Sequence, residues 1–199
     1  PRERAFVFLT PMGVAVRTIA PLLTNKHADP AVVVCDVLVR WAVSLLSGHE
    51  GGANDLALAV ANALDADPII TTTTEASKTL IVGLGCRRGT SADLIERAVQ
   101  KALIAVGANL NQVRCLASVD LKAREAGLRQ AARHLGLPLR IIGSERIRRC
   151  LHPLTPGSAA ERHLGLPGVA EPSALLAGTR AKLILPRTTL EDCTVAIAH

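Results

Sequence analysis

The stretch that most constrains the fold is the alternation starting at Leu80. Leu80–Leu84 is an unbroken apolar run of strand length, and Ser91–Val106 follows with Leu94, Ala98, Ala102 and Val106 on one helical face. Arg114–Val119 reads as a second strand, Ala123–Leu135 as a helix that Gly136 closes, and Leu139–Ile142 as a third strand. Strand, helix, strand, helix, strand specifies an α/β domain in three layers, its mixed or mostly parallel sheet covered by helices. A short helix over Ser144–Cys150, another over Ala170–Leu176, and closing strands at Lys182–Leu185 and Thr194–Ala198 fill out this half. His152–Pro167, rich in Pro and Gly, reads as a surface loop able to act as a lid.

The first part of the chain mixes the same elements less regularly. Ala5–Leu9, Ala31–Leu38, Trp41–Leu46 and Pro68–Thr71 read as strands. Helical patterns cover Val14–Leu22 and about Ala53–Leu64, where Leu56, Val60, Ala63 and Leu64 share a face. Ala76-Ser77-Lys78 is the expected joint, which makes two α/β domains of residues 1–77 and 78–199. The chain opens at Pro1, which fits either removal of an initiator Met or a fragment lacking upstream residues.

Composition narrows the partners. A 49% hydrophobic fraction in 199 residues is enough for real cores and argues against disorder. Two Phe, one Trp and no Tyr leave almost no stacking platforms, so nucleic acid is not expected as a partner. The formal charge of +6 favours an anionic partner, and a small polycarboxylate satisfies it as well as a polynucleotide does. The five cysteines, Cys35, Cys86, Cys115, Cys150 and Cys193, are far apart and form no C-x-x-C pair. Neither a disulfide framework nor a zinc site is expected, and a cytoplasmic location fits best. No apolar run approaches membrane-spanning length, so no membrane association is expected.

Two glycine-rich turns carry the chemistry. Ser47-Gly48-His49-Glu50-Gly51-Gly52-Ala53-Asn54-Asp55 joins an apolar strand to a helical pattern, and a helix starting near Ala53 offers unpaired N–H groups to an anion. His49 is a candidate proton carrier, with Glu50 and Asp55 to orient it; the alternative is a histidine that fixes the turn through a backbone carbonyl. Asn54 suits either an oxyanion donor or a helix cap. Gly13 in Thr10-Pro11-Met12-Gly13, and the hydroxyls of Thr72 and Thr73 at a strand end, are further contact candidates.

The second turn, Gly83-Leu84-Gly85-Cys86-Arg87-Arg88-Gly89-Thr90-Ser91, joins a strand to a helix and ends in the capping-box spacing Thr90-x-x-Asp93. Arg87 and Arg88 can clamp carboxylates or phosphates; the alternative is a glycine turn chosen for tight packing, with both arginines solvated. The turn nearly reads as G-x-G-x-x-G, but Arg88 holds the third glycine position. Asp120 ends the next strand, where a ribose-binding acid would sit, so an NAD(P)-binding oxidoreductase is one reading of these residues. Cys86, near a helix start and two arginines, is either a thiol of lowered pKa or a buried inert one, and the second reading is preferred. Asp120, Lys122 and Glu125 cluster at a strand end, and Glu171 precedes Pro172 at a helix start; both suit ligand contact or local ion pairs. Arg146, Arg148 and Arg149 read as a solvated face. His27, His134, His152, His163 and His199 show no ligand spacing, and no metal site is expected.

These residues also carry a resemblance. Thr10–Arg17, Asp29–Val34, the Ser47–Asp55 loop and Ile69–Thr74 resemble the amino-terminal domain of cobalt-precorrin-5A hydrolase, the CbiG family of anaerobic cobalamin (vitamin B12) biosynthesis. Gly83–Ser91, Ala117–Lys122 and Gly168–Pro172 are similar to that family's carboxy-terminal domain, which also occurs alone in the CobE proteins. The resemblance covers almost the whole chain. In that family a further segment often separates the two domains, whereas here Thr74-Glu75-Ala76-Ser77 runs almost directly into the second.

The resemblance implies a hydrolase that opens the ring-A δ-lactone of cobalt-precorrin-5A, with the meso carbon and its methyl group leaving as acetaldehyde to give cobalt-precorrin-5B. It implies His49 and Asn54 as catalytic groups. Gly13, Gly51, Gly52, Thr72, Thr73, Gly85, Cys86, Arg87, Arg88, Thr90, Ser91, Asp120, Lys122 and Glu171 then contact an anionic cobalt-corrinoid. Cobalt arrives with the substrate, so no protein-bound cofactor is implied. A non-catalytic corrinoid carrier of the CobE type is the alternative. Contacts with other enzymes of the pathway and a homodimer are left open.

Overall fold

The computed structural model describes residues 4–25, 27–152, 154–156 and 159–199, and only the backbone at 159, 162 and 163. It divides into two units, Pro1–Ala76 and Ser77–His199.

In the first unit four strands, β1 (Ala5–Leu9), β2 (Ala31–Cys35), β3 (Trp41–Leu46) and β4 (Asp67–Ile69), lie side by side in chain order. β1 runs parallel to β2, β2 antiparallel to β3, and β3 parallel to β4. Alternation along β2 sorts its apolar residues between two helices. Val33 and Cys35 meet Ala57 and Ala61 of α2 (Ala53–Leu64) on one face, and Val32 and Val34 meet Ala15 of α1 (Met12–Ile19) on the other.

Boundaries differ from expectation where a single residue intervenes. β2 stops at Cys35 instead of Leu38, because the Asp36 carboxylate takes the backbone N–H groups of Arg40 and Trp41 and curls the chain. Val37 and Leu38 are left exposed on that turn. α1 ends at Ile19 and tightens into a 3-10 turn over Ala20–Leu22, since Pro21 has no N–H to continue the helix. β4 ends at Ile69, and Thr73–Ala76 forms the short helix α3.

The second unit is a five-stranded mixed sheet in the order β7-β6-β5-β9-β8, comprising β5 (Leu80–Cys86), β6 (Val113–Val119), β7 (Leu139–Ile142), β8 (Leu183–Leu190) and β9 (Cys193–Ala198). β5, β6 and β7 are parallel, while β9 runs antiparallel to both β5 and β8. Val82, Leu84, Leu116, Val195 and Ile197 face α4 (Ala92–Ala105) and α5 (Ala126–His134). On the opposite face Ile81, Cys115, Ala117 and Ala198 face Ala174 and Leu175 of α8 (Ala170–Leu176). The three layers follow from that alternation.

Here too there are corrections. α5 starts at Ala126 instead of Ala123, because Asp120–Lys122 forms a 3-10 turn first. Past the short helix α6 (Ser144–Arg148), the expected loop His152–Pro167 contains the helix α7 (Ala159–Leu164), and its residues Pro153, Gly157 and Ser158 lie outside the described residues. β8 reaches Leu190 through Pro186, which an edge strand tolerates.

Candidate functional site

Parallel strands place their following loops along one sheet edge. Because β1 and β2 run opposite to β3 and β4, the first unit has such loops at both edges, the turn into α1 with Gly13 at one and the loops after β3 and β4 at the other. In the first unit the loops after β3 and β4 meet. The Ser47–Gly52 loop folds back on itself, and its glycines are explained by that closure. A Cβ on Gly51 would lie 2.4 Å from Ser47 Cβ, and one on Gly48 would lie 2.8 Å from Thr72 Cγ2 and 2.9 Å from Asn54 Oδ1. Gly52, with φ of 85°, is the residue before α2 and serves as its cap, a left-handed conformation that favours glycine. The cap therefore falls to Gly52 and not to Asn54. The expected free N–H groups at this helix start are also partly used: Ala53 N donates to Ser47 O and Asn54 N to Gly48 O.

Asn54 is buried, with 9% of its surface exposed, and its side chain is bonded at both ends. Oδ1 accepts from Ser44 Oγ at 2.8 Å, and Nδ2 donates to Thr72 Oγ1 at 3.0 Å. This network ties β3, α2 and the loop after β4 together. His49 stands exposed on the crest of the same loop. The Glu50 carboxylate lies 3.1 Å from Nδ1 of His27. No described contact joins Asp55 to His49. Gly13 lies exposed in the first turn of α1, and Thr73 is exposed at the start of α3.

In the second unit the loops after β5, β6 and β7 meet. Gly89, at φ of 81°, donates its N–H to Glu125 Oε1 at 2.7 Å, and Lys122 Nζ lies 3.4 Å from Glu125 Oε2. The Gly89 N–H holds the Glu125 carboxyl below its ordinary value against partial desolvation, with the Lys122 and Arg88 charges adding to the effect. Asp120 Oδ2 accepts from both the N–H and the hydroxyl of Ser144, so its carboxylate fastens the loop after β6 to the start of α6. Arg87 is pinned to the β8–β9 turn, with Nη1 at 2.8 Å from Asp192 Oδ1, and Arg88 is exposed.

Several expectations are corrected in this unit. The cap of α4 is Ser91, whose Oγ accepts from Leu94 N, whereas the Thr90 hydroxyl donates to Arg87 O. Cys86 is no lowered-pKa thiol: burial pushes it up, with Lys122 opposing and Glu125 adding. Gly83 and Gly85 serve packing. A Cβ on Gly83 would lie 1.9 Å from Ala170 O, and one on Gly85 would lie 2.6 Å from Thr194 Oγ1 and 3.3 Å from Val169 Cβ. Both glycines lie within β5 and not in the turn after it, so the G-x-G spacing forms no phosphate-binding turn here.

Glu171, in the first turn of α8, is turned to partners inside the unit. It is 3% exposed, and its carboxylate accepts from Thr155 N and Oγ1 and from Arg187 N, which staples the segment after α6 and β8 to α8. Burial pushes this carboxyl up, and the hydrogen bonds from Arg187 and Thr155 outweigh it and hold it below its ordinary value. No described contact brings Glu171 to Arg88 or Lys122. Ser44 escaped the sequence reading, since one serine inside an apolar strand gives no signal until its partner is known. Among the described residues no group of three or more His, Cys, Asp or Glu could hold a metal, and no helix is long and apolar enough to cross a membrane.

Two α/β units, each with polar loops at the carboxy ends of parallel strands, define a two-module α/β protein. The description "Cobalamin synthesis G N-terminal" matches residues 1–75, and "Cobalamin synthesis G C-terminus" matches residues 80–198. The chain belongs to this cobalamin synthesis G family. A cobalt-precorrin-5A hydrolase of Priestia megaterium is 24% identical over 98% of this chain and 78% of its own length. That alignment runs over 293 positions against 199 residues here, so the relative carries roughly a hundred residues without a counterpart in this chain. The cobalt-precorrin-5A hydrolase of Salmonella typhimurium is 50% identical over 74 residues, 37% of this chain and 21% of its own. The crystal structure of CobE, a protein from the cobalamin biosynthetic pathway, superimposes with a TM-score of 0.56 at 34% identity, covering 60% of this chain and 89% of that one.

Proposed function

We propose that the chain is a cobalt-precorrin-5A hydrolase. The observation that carries this reading is the match of both halves of the cobalamin synthesis G family over 1–75 and 80–198, joined by relatives that bear that name. Water adds to the carbonyl of the ring-A δ-lactone and the acyl C–O bond breaks, leaving a carboxylate and an alcohol on the meso carbon. The alcohol then gives up its proton as the C–C bond to the macrocycle breaks, so the meso carbon and its methyl group leave as acetaldehyde and the electron pair stays on the macrocycle. His49, exposed on a loop that three glycines fold, takes the proton of the attacking water and returns it to the leaving group in this reading. Thr72 and Thr73 border the same edge, whereas Gly13, which follows β1, lies at the opposite edge of the sheet.

Acetate and propionate arms make the substrate a polycarboxylate, which fits the +6 charge of the chain. Exposed Arg88 supplies positive potential at the edge of the second unit, beside Lys122 and the Gly89 N–H, which the Glu125 carboxylate already engages. Thr90, Ser91, Gly85 and Asp120 hold the shape of that edge. Cobalt belongs to the substrate, so the reaction asks for no resident cofactor. The test is anaerobic incubation with cobalt-precorrin-5A, following acetaldehyde and product mass. Acetaldehyde above the no-protein control supports the hydrolase, and unchanged turnover in His49→Ala removes His49 from the chemistry.

A second reading is a corrinoid carrier without catalysis. It is favoured by one observation, that CobE corresponds to 60% of this chain while 89% of CobE itself is covered, so a single unit stands alone in that protein. Corrinoid binding without acetaldehyde release supports it.

A further inference from the structure

We propose that Ser44 is a positioning residue which, through Asn54, makes the Thr72 hydroxyl a hydrogen-bond donor to an oxygen atom of the ligand. The inference deepens the corrinoid reading above and rests on it for the ligand's class, a carboxylate or lactone oxygen.

The argument is one of proton direction. Ser44, half-buried on β3, donates to Asn54 Oδ1 at 2.8 Å. In this arrangement the amide oxygen, which only accepts, faces Ser44, and the amide nitrogen, which only donates, faces Thr72. Nδ2 then gives a proton to Thr72 Oγ1 at 3.0 Å. With one lone pair engaged, the Thr72 hydroxyl keeps its own proton for another acceptor, and no described residue accepts it. The Thr72 methyl faces Gly48, 2.8 Å from where a Cβ would stand there. With Nδ2 donating to Oγ1, the hydroxyl proton points away from Asn54, from a half-buried residue on the loop after β4. Asn54, expected as the oxyanion donor, spends one of its two amide protons inside the protein, and Thr72 is the group that presents a proton outward.

The opposite amide orientation is the competing arrangement: Nδ2 would donate to Ser44, and the Thr72 proton would turn inward to Oδ1. The two make different demands on a ligand. In the proposed arrangement Thr72 donates, which suits carboxylates; in the reverse it accepts only.

The experiment uses the full chain, with the stable cobalt corrinoid cobyrinic acid as probe for binding and cobalt-precorrin-5A for turnover. Thr72→Val, which keeps the shape and removes the hydroxyl, is expected to weaken corrinoid binding about 10-fold or more. Ser44→Ala, which removes a group with no place at the ligand, is expected to weaken binding about 3- to 10-fold in protein shown to be folded, because the amide is freed to turn. Ser44→Thr keeps the hydroxyl and restores binding. Protection of the Asn54 side-chain amide protons against exchange, read by NMR, falls in Ser44→Ala and returns in Ser44→Thr. A purely structural Ser44 gives the opposite pattern, lower stability with wild-type affinity in the folded fraction, and that result overturns the proposal. So does wild-type binding by Thr72→Val. Corrinoid binding by the wild type without acetaldehyde release removes the hydrolase reading while the binding series still decides the roles of Ser44 and Thr72.

Discussion

Replacing Gly83 with Ala tests the packing of the second unit at its tightest point. Gly83 lies in the middle of β5 under α8, and an added Cβ would stand 1.9 Å from Ala170 O, 2.9 Å from Ala170 C and 2.8 Å from Ala174 N. All three are backbone atoms, so no side-chain rotation relieves the overlap. α8 would have to retreat by about 1.5 Å to reach ordinary van der Waals distance, and a gap of that size forfeits much of the dispersion beneath Ala170, Ala174 and Leu175. Overpacking typically costs about 1–3 kcal/mol, and a backbone clash in a filled core belongs at or above the top of that range, about 3–5 kcal/mol. At about 3 to 5 °C per kcal/mol for a unit of this size, the melting temperature falls by roughly 10–20 °C.

Gly85→Ala is the internal comparison. Its Cβ would meet Thr194 Oγ1 at 2.6 Å, and that hydroxyl can rotate away at the loss of its 3.1 Å bond to Gly85 O, a cost of about 1–2 kcal/mol. Urea unfolding followed by far-UV circular dichroism, with Trp41 fluorescence monitoring the first unit in the same sample, gives both values. A Gly83→Ala protein within about 0.5 kcal/mol of wild type, a spread usual for surface substitutions, would mean that α8 does not rest on β5 at that point.

Two other consequences are open to measurement. Glu171→Gln replaces an acceptor oxygen by an NH2 group facing the donors of Thr155 and Arg187, and is expected to lower stability by about 2–3 kcal/mol in denaturant titration. Because this carboxyl is held below its ordinary value in the folded protein, its stabilisation is fully present above the ordinary glutamate value of 4.5 and is lost as pH falls through the folded value. The gap between wild type and variant should therefore narrow in acid, and a gap that widens there refutes the assignment. Burial pushes the Cys193 thiol up to about 12 and raises Cys86 as well, so both should resist iodoacetamide in the native protein at neutral pH and react once it is unfolded. Rapid native labelling of Cys86 would restore it as a candidate nucleophile.

The strands most legible in the sequence were those whose apolar runs are bounded by a turn signal, such as Trp41–Leu46 before Ser47-Gly48 and Leu80–Leu84 before the second glycine turn. Ala31–Leu38 looked like one strand because hydropathy cannot register a side chain that competes for backbone N–H groups, as Asp36 does. β8 was cut short on paper at Pro186, since a proline argues against a strand until the strand is known to lie at an edge. The site residues divide the same way. The Ser47–Asp55 loop announced itself by composition, but the reason for its glycines is contact with Ser47, Thr72 and Asn54, partners a chain pattern does not reveal. Glu171 looked like a ligand-facing acid at a helix start, and its true partners lie sixteen residues away on either side, at Thr155 and Arg187.

The position of β9 has a consequence for how the chain is made. β5 borders β6 on one side and β9 on the other, and the pairing of Cys86 with Cys193 joins residues more than a hundred positions apart. At about 5–20 residues per second, a ribosome needs roughly 5–20 s to deliver β9 after β5. Throughout that interval β5, an apolar run, has an open hydrogen-bonding edge and one uncovered row of backbone groups. The first unit has no such wait, since β1 to β4 pair with neighbours in chain order. During synthesis the nascent second unit is therefore the part that calls for chaperone cover, and slow codons placed after β5 would lengthen its exposure.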